Sequence, residues 1–231
     1  MGSFIVEFWS RIFNFLGKIS LFFVVRRLFP RLVNARFVDF WVLGHLILAF
    51  VCVVVVSYLP KHSIAIAIVG YGMLRVFEVA TYQLNVLLFD EYRAVKAGKP
   101  YHLEGYRRII LLLLHNYGEI IFWLACTYTV MATDFDLKWT NGREAVIGSI
   151  YSSFITMTTF GEFDLAPKST FAALVLLFHA AIGLFMTLLS LARFISLIPA
   201  PRTKDVFEIR QIAQSVGSTP AEPPSKPKRR K

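Results

Sequence analysis

Tyr151-Ser152-Ser153-Phe154-Ile155-Thr156-Met157-Thr158-Thr159-Phe160-Gly161-Glu162-Phe163-Asp164-Leu165-Ala166-Pro167 decides the fold. It overlaps a short apolar segment, about residues 145–160. A membrane helix needs ~20 apolar residues, so this segment is too short to cross comfortably. It lies between two longer apolar runs, about 109–131 and 170–198. A short helix between two spans reads as re-entrant. Such a segment must be buried in protein or line a cavity.

Two further apolar runs lie upstream, about 40–59 and 64–89. Four spans agree with the composition. Of 231 residues, 56% are hydrophobic and 17% charged, against about 25% charged in soluble domains. Mean hydropathy is +0.57. The chain has too little polar surface to coat an ordinary soluble globule, and it is too apolar to be disordered throughout. Cys52 and Cys126 both sit inside apolar runs. They make neither a disulfide framework nor a metal spacing.

The net charge is +10, and its distribution sets the orientation. Residues 1–38 hold six Lys/Arg, residues 91–108 hold five, and the tail after Ile198 holds eight. Residues 60–63 hold only Lys61, and 132–169 hold three basic residues against five acidic. Basic residues near spans stay cytoplasmic. Both termini and the 91–108 loop are therefore expected on the cytoplasmic side, with 60–63 and 132–169 opposite.

Residues 1–38 mix aromatic and basic side chains, including Phe4, Phe8, Phe15, Leu16 and Phe22 at helical spacing. This predicts an amphipathic helix along a membrane interface, its cations toward anionic lipid, or else one packed on the bundle. Pro30 should end or kink it. The tail begins at Pro199 and Pro201, with a helical stretch conceivable at 203–214. It ends in Pro, Ser and Lys, which reads as disordered. Its basic end fits topology or acidic lipid, and no nucleic-acid partner is expected.

The quoted stretch resembles the pore helix and selectivity filter of the potassium channel superfamily. Members run aromatic, x, Ser, Phe, x, Thr, x, then Thr-Thr-Val-Gly-Tyr-Gly-Asp, then x-x-Pro. Tyr151, Ser153, Phe154, Thr156, Thr158, Thr159, Gly161, Asp164 and Pro167 fall in register. The order span, short helix, filter, span also agrees, so the resemblance covers about residues 105–200. It implies an all-α membrane protein with four transmembrane helices, a re-entrant pore helix, a filter loop and a tetrameric pore. Thr158, Thr159, Phe160, Gly161, Glu162, Phe163 and Asp164 would form the filter and its outer mouth. Four chains are implied because one loop cannot close a ring of carbonyls.

Three positions depart from the family. Phe160 replaces its Val, Glu162 its Tyr and Phe163 its second Gly. A bulky residue rarely takes positive φ, so Phe163 disfavours the family's outer-filter geometry. Glu162 either offers a carboxylate ring to cations or braces the filter from behind. The Gly161-Glu162-Phe163 segment is also similar, over a short length, to the acid-plus-aromatic filters of sodium and calcium channels.

In the fourth run, Gly183 is either a hinge or a close-packing point. Phe185, Met186, Leu189 and Phe194 have the spacing of a hydrophobic gate or of packing. Arg75 and Glu78, at i,i+3, should neutralise each other. One arginine does not make a voltage sensor, so voltage gating of the usual kind is not expected. His115 and Glu119, one turn apart, are expected to hydrogen-bond as a buried pair. His45 and His179 read as packing residues, and Asn141-Gly142 as a turn.

Four segments follow: an interfacial segment 1–38, two peripheral helices and a loop over 39–104, a pore module over 105–200, and a basic tail over 201–231. The expected function is a homotetrameric cation channel, without cofactor beyond permeant K+, Na+ or Ca2+. The alternatives are a potassium-selective channel, a non-conducting membrane adaptor, or a subunit needing a different pore-forming partner. No catalytic constellation points to an enzyme.

Overall fold

The computed structural model describes residues 4–31, 34–59, 63–98, 100, 105–135, 142–158 and 165–197. Eight α-helices order these residues: α1 Phe4–Leu16, α2 Leu21–Leu28, α3 Ala35–Tyr58, α4 Ser63–Leu88, α5 Asp90–Lys96, α6 Tyr106–Val130, α7 Gly142–Thr158 and α8 Thr170–Leu197. The described secondary structure is helical apart from an isolated antiparallel bridge between Phe135 and Pro167. The chain divides into Met1–Ser196 and Leu197–Lys231, and the second unit, beyond Leu197, lies outside the described residues. So does the stretch 203–214.

Among the described residues, four helices are long and apolar enough to cross a membrane: Ala35–Tyr58, Ser63–Leu88, Arg107–Val130 and Thr170–Ile195. They fall on the four apolar runs. The first begins five residues before the run does, because the Asn34 side chain accepts the Phe37 N–H at 2.9 Å. An N-cap satisfies an otherwise orphaned donor and fixes the first turn.

α6 is the hub. It packs against α3, α4 and α7. Ala49, Val53, Val76, Ile120, Leu124 and Met157 meet in one core cluster around it. Gly72 lets α4 approach α6, since a Cβ there would stand 2.7 Å from a Trp123 ring carbon. Close packing of this kind brings the backbone of α4 against the Trp123 ring of α6.

The N-terminal segment is bent. Phe4–Ile19 and Leu21–Leu28 meet at 69°. The break falls at Ser20, whose hydroxyl oxygen accepts the Phe23 N–H at 3.1 Å and caps α2. The segment ends as Pro30 predicts, with α2 stopping at Leu28. One face of α1 packs on α4 and the chain beyond it: Phe13 stacks on Phe89 at 5.5 Å, and its carbonyl accepts from Asn85 Nδ2 at 2.9 Å.

Candidate functional site

α7 is joined to α6 by hydroxyl groups. Thr129 Oγ1 donates to Ser149 Oγ at 2.8 Å, and Ser153 Oγ donates to the Ile121 carbonyl at 2.7 Å. Nearer the helix end, Tyr117 Oη donates to the Met157 carbonyl at 3.2 Å. As α7 advances, its partners on α6 fall in number, so the two helices run antiparallel. Ser149, Ser153 and Thr156 are all buried. Ser153 and Thr156 are two of the positions that fall in register with the filter motif.

α8 returns alongside. The Tyr128 hydroxyl and His179 Nδ1 are 2.6 Å apart, and Tyr117 Oη lies 3.1 Å from Thr187 Oγ1. Gly183 meets the end of α7: a Cβ on it would stand 2.7 Å from the Met157 carbonyl oxygen. A helix rises ~1.5 Å per residue, so Gly183 lies roughly 20 Å along α8 from Thr170. α7 therefore starts beside the end of α6 and stops level with the middle of both long helices. Leu165 is already back at the starting end, buried with Met131 and Phe135. There the Lys168 N–H donates to the Asp134 carbonyl at 2.8 Å.

The last turn of α7 carries the partial negative charge of a helix C-terminus. Its Met157 carbonyl is held by Tyr117 and walled by Gly183. Thr158 is the final helical residue. Its hydroxyl donates to the Phe154 carbonyl at 2.8 Å, as helix threonines commonly do. Thr159, Phe160, Gly161, Glu162, Phe163 and Asp164 lie outside the described residues.

α8 divides into two faces. Ala172, Val175, His179, Gly183, Met186 and Leu189 point into the chain's own core. Leu184, Phe185, Leu188 and Phe194 are exposed. Thus Met186 and Leu189, named from spacing as gate residues, are packed, while Phe185 and Phe194 lie on the open face. Gly183 takes the close-packing role, within a helix that runs unbroken from Thr170 to Leu197. His179 is fully buried, and its Nε2 has no hydrogen-bond partner among the described residues.

A second constellation joins the peripheral helices to α6. Arg75 presents Nε to Glu119 Oε1 at 3.0 Å and Nη2 to Glu119 Oε2 at 3.1 Å. Its Nη1 reaches Glu78 Oε2 at 2.6 Å. Trp123 Nε1 donates to Glu119 at 3.1 Å. Glu78 Oε1 accepts the Phe22 N–H at 2.7 Å and a short hydrogen bond from the Ser20 hydroxyl. None of the three ionic residues is more than 6% exposed. Two carboxylates face one guanidinium, and the neutral donors around them solvate the excess charge.

This corrects the sequence reading of Glu119. His115 turns back to the Leu111 carbonyl at 2.6 Å, and Glu119 pairs instead with Arg75. Arg75 and Glu78 do pair, as expected, but within this larger set. His45 bridges the Trp41 carbonyl at 2.8 Å and Tyr71 Oη at 2.9 Å. Among the described residues no group of three His, Cys, Asp or Glu could hold a metal ion.

No protein family, curated protein or solved structure matches the chain.

Proposed function

We propose that the chain is one subunit of a homotetrameric, pore-loop cation channel, in which α6 and α8 flank a re-entrant α7. The observation that carries the reading is the half-depth stop of α7. A short helix ends beside the midpoints of two candidate spans, and the chain is back at its starting end by Leu165. The residues between are Thr159-Phe160-Gly161-Glu162-Phe163-Asp164, the part that resembles a filter. The reading needs that segment to climb roughly 20 Å. Seven residue steps reach at most ~24 Å, so an extended filter suffices.

In the tetramer the C-terminal ends of four α7 helices aim their partial negative charge at the axis. Backbone carbonyls replace the water shell of the ion, and Glu162 with Asp164 adds acid at the outer mouth. The open faces of α7 and α8 meet the neighbouring subunits and the axis, with Phe185 and Phe194 on the pore-facing side. Conduction is passive, needs no cofactor, and admits monovalent and divalent cations. Both termini lie on the cytoplasmic side, the side of the basic loops.

Reversal potentials of the reconstituted protein in planar bilayers test this. Under potassium, sodium and calcium gradients, the reversal should follow sodium, calcium or all cations together. A reversal at the potassium potential alone makes the channel potassium-selective and removes the carboxylate ring. Silence from folded, tetrameric protein would support the adaptor reading instead.

A further inference from the structure

We propose that the N-terminal segment is a lipid-reading strap: α1 seats on a leaflet of anionic headgroups, and its position is relayed to α6 through Ser20, Glu78, Arg75 and Glu119. The first observation is the two-sidedness of α1. Ser10, Phe13 and Gly17 turn toward α4 and Phe89, where the bonds to Asn85 and the Phe89 ring hold them. Phe4, Phe8, Arg11, Phe15 and Lys18 recur at three- and four-residue steps on the other side, and all are exposed. Aromatic rings and cations on one face suit the boundary between headgroups and acyl chains.

Charge selects the occupant. Over residues 4–31 the chain carries Arg11, Lys18, Arg26, Arg27 and Arg31 against Glu7 alone. A basic surface next to a candidate span attracts anionic lipid. A neutral protein partner has no use for these charges, and an acidic soluble partner none for the apolar rings at this depth.

The second observation is where the strap is pinned. Its 69° bend falls at Ser20, and Ser20 and Phe22 both donate to Glu78. Glu78 shares Arg75 with Glu119, and Glu119 receives Trp123 Nε1–H. An unbroken chain of charge-assisted bonds therefore runs from the bend of the strap to a residue of α6. A shift of α1 that strains Ser20 changes what Glu78 demands of Arg75, and so the hydrogen bond at Trp123.

The four tryptophans, Trp9, Trp41, Trp123 and Trp139, provide the readout. Full-length protein carrying 5-fluorotryptophan is placed in nanodiscs of phosphatidylcholine, with or without phosphatidylglycerol. Single Trp→Phe variants assign the resonances. Adding the anionic lipid should shift both Trp9 and Trp123. The double variant Arg11→Gln, Lys18→Gln should lose both shifts. Ser20→Ala should keep the Trp9 shift and lose that of Trp123, and Ser20→Thr, which retains the hydroxyl, should restore it. A Trp9 signal indifferent to lipid charge overturns the docking surface. A Trp123 shift that survives Ser20→Ala overturns the relay. Neither arm depends on conduction.

Discussion

Gly183 of α8 lies against the carbonyl of Met157 so closely that a Cβ at position 183 would stand 2.7 Å from the oxygen. The contact is with backbone, which cannot swing aside as a side chain would. Gly183→Ala should therefore separate α8 from the end of α7 and cost about 1–3 kcal/mol, as overpacking does. Gly70→Ala, on α4 with nothing within 4 Å, should instead stabilise by up to about 1 kcal/mol, because Ala is favoured over Gly inside a helix. Thermal unfolding of the two variants in detergent checks the contrast. Equal melting temperatures would show that the packing at Met157 yields.

Among the described residues, Arg75 is the one cation paired with the buried carboxylates Glu78 and Glu119. Arg75→Met should destabilise by about 3–5 kcal/mol, because it strands both charges. The triple variant Arg75→Met, Glu78→Gln, Glu119→Gln should recover most of that loss. Denaturant unfolding of the single and triple variants tests this. A triple variant as weak as the single one would mean that the packing of Arg75, rather than its charge, holds the cluster.

Tyr117 connects α7 and α8 through one hydroxyl. Tyr117→Phe leaves the ring in place and removes the bonds to the Met157 carbonyl and Thr187. A loss of about 1 kcal/mol is expected for such a hydroxyl, seen as a lower melting temperature. If conduction is measured in parallel, altered ion preference in this variant would tie the end of α7 to the ion path.

Glu162→Gln removes the proposed carboxylate ring with almost no change in volume. Block by calcium, or preference for it, should fall at least tenfold in bilayer recordings. Unchanged selectivity would assign Glu162 to bracing behind the filter.

Glu7 and Lys96 clamp α1 to α5 at 3.0 Å. The hydrogen bond from Lys96, then its charge, holds the Glu7 carboxyl below its ordinary 4.5. The bond to Glu7 likewise raises the Lys96 amine above its ordinary 10.5. The Glu7 contribution is full above the ordinary carboxylate value and fades as pH falls through the lowered one. The Lys96 contribution is full below the ordinary amine value and fades as pH rises through the raised one. Quenching of Trp9 by an aqueous quencher should therefore rise in acid below pH 4.5 and in base above 10.5. The profile should flatten in Lys96→Gln.

The four long apolar helices were legible because runs of ~20 consecutive apolar residues admit few other readings. The short helix was legible too: it is expected over about 145–160 and found at Gly142–Thr158. Local spacing failed where a partner is distant in sequence. His115 and Glu119 are one turn apart, yet Glu119 bonds Arg75, 44 residues away. Nothing within α6 alone signals that choice. Spacing likewise put Met186 and Leu189 on one stripe without saying which way the stripe faces. Only the contacts of Gly183, His179 and Thr187 with α7 and α6 reveal it. The tight fit of Gly72 on Trp123 had no signal beyond the glycine itself.

If α7 is the re-entrant helix proposed above, the hydroxyl seam between α6 and α7 also sets an order of biogenesis. Ser149 and Ser153 find their partners at Thr129 and Ile121, and α7 has only 17 residues. Emerging from the ribosome before α6 had settled, such a segment would meet hydrocarbon with the Ser153 hydroxyl lacking its Ile121 partner. α6 precedes α7 in the chain, so its Ile121 carbonyl would already be in place to receive Ser153. A variant that delays the insertion of α6 should strand α7 at the surface of the bilayer, where quality-control proteases would find it, although its own sequence is unchanged.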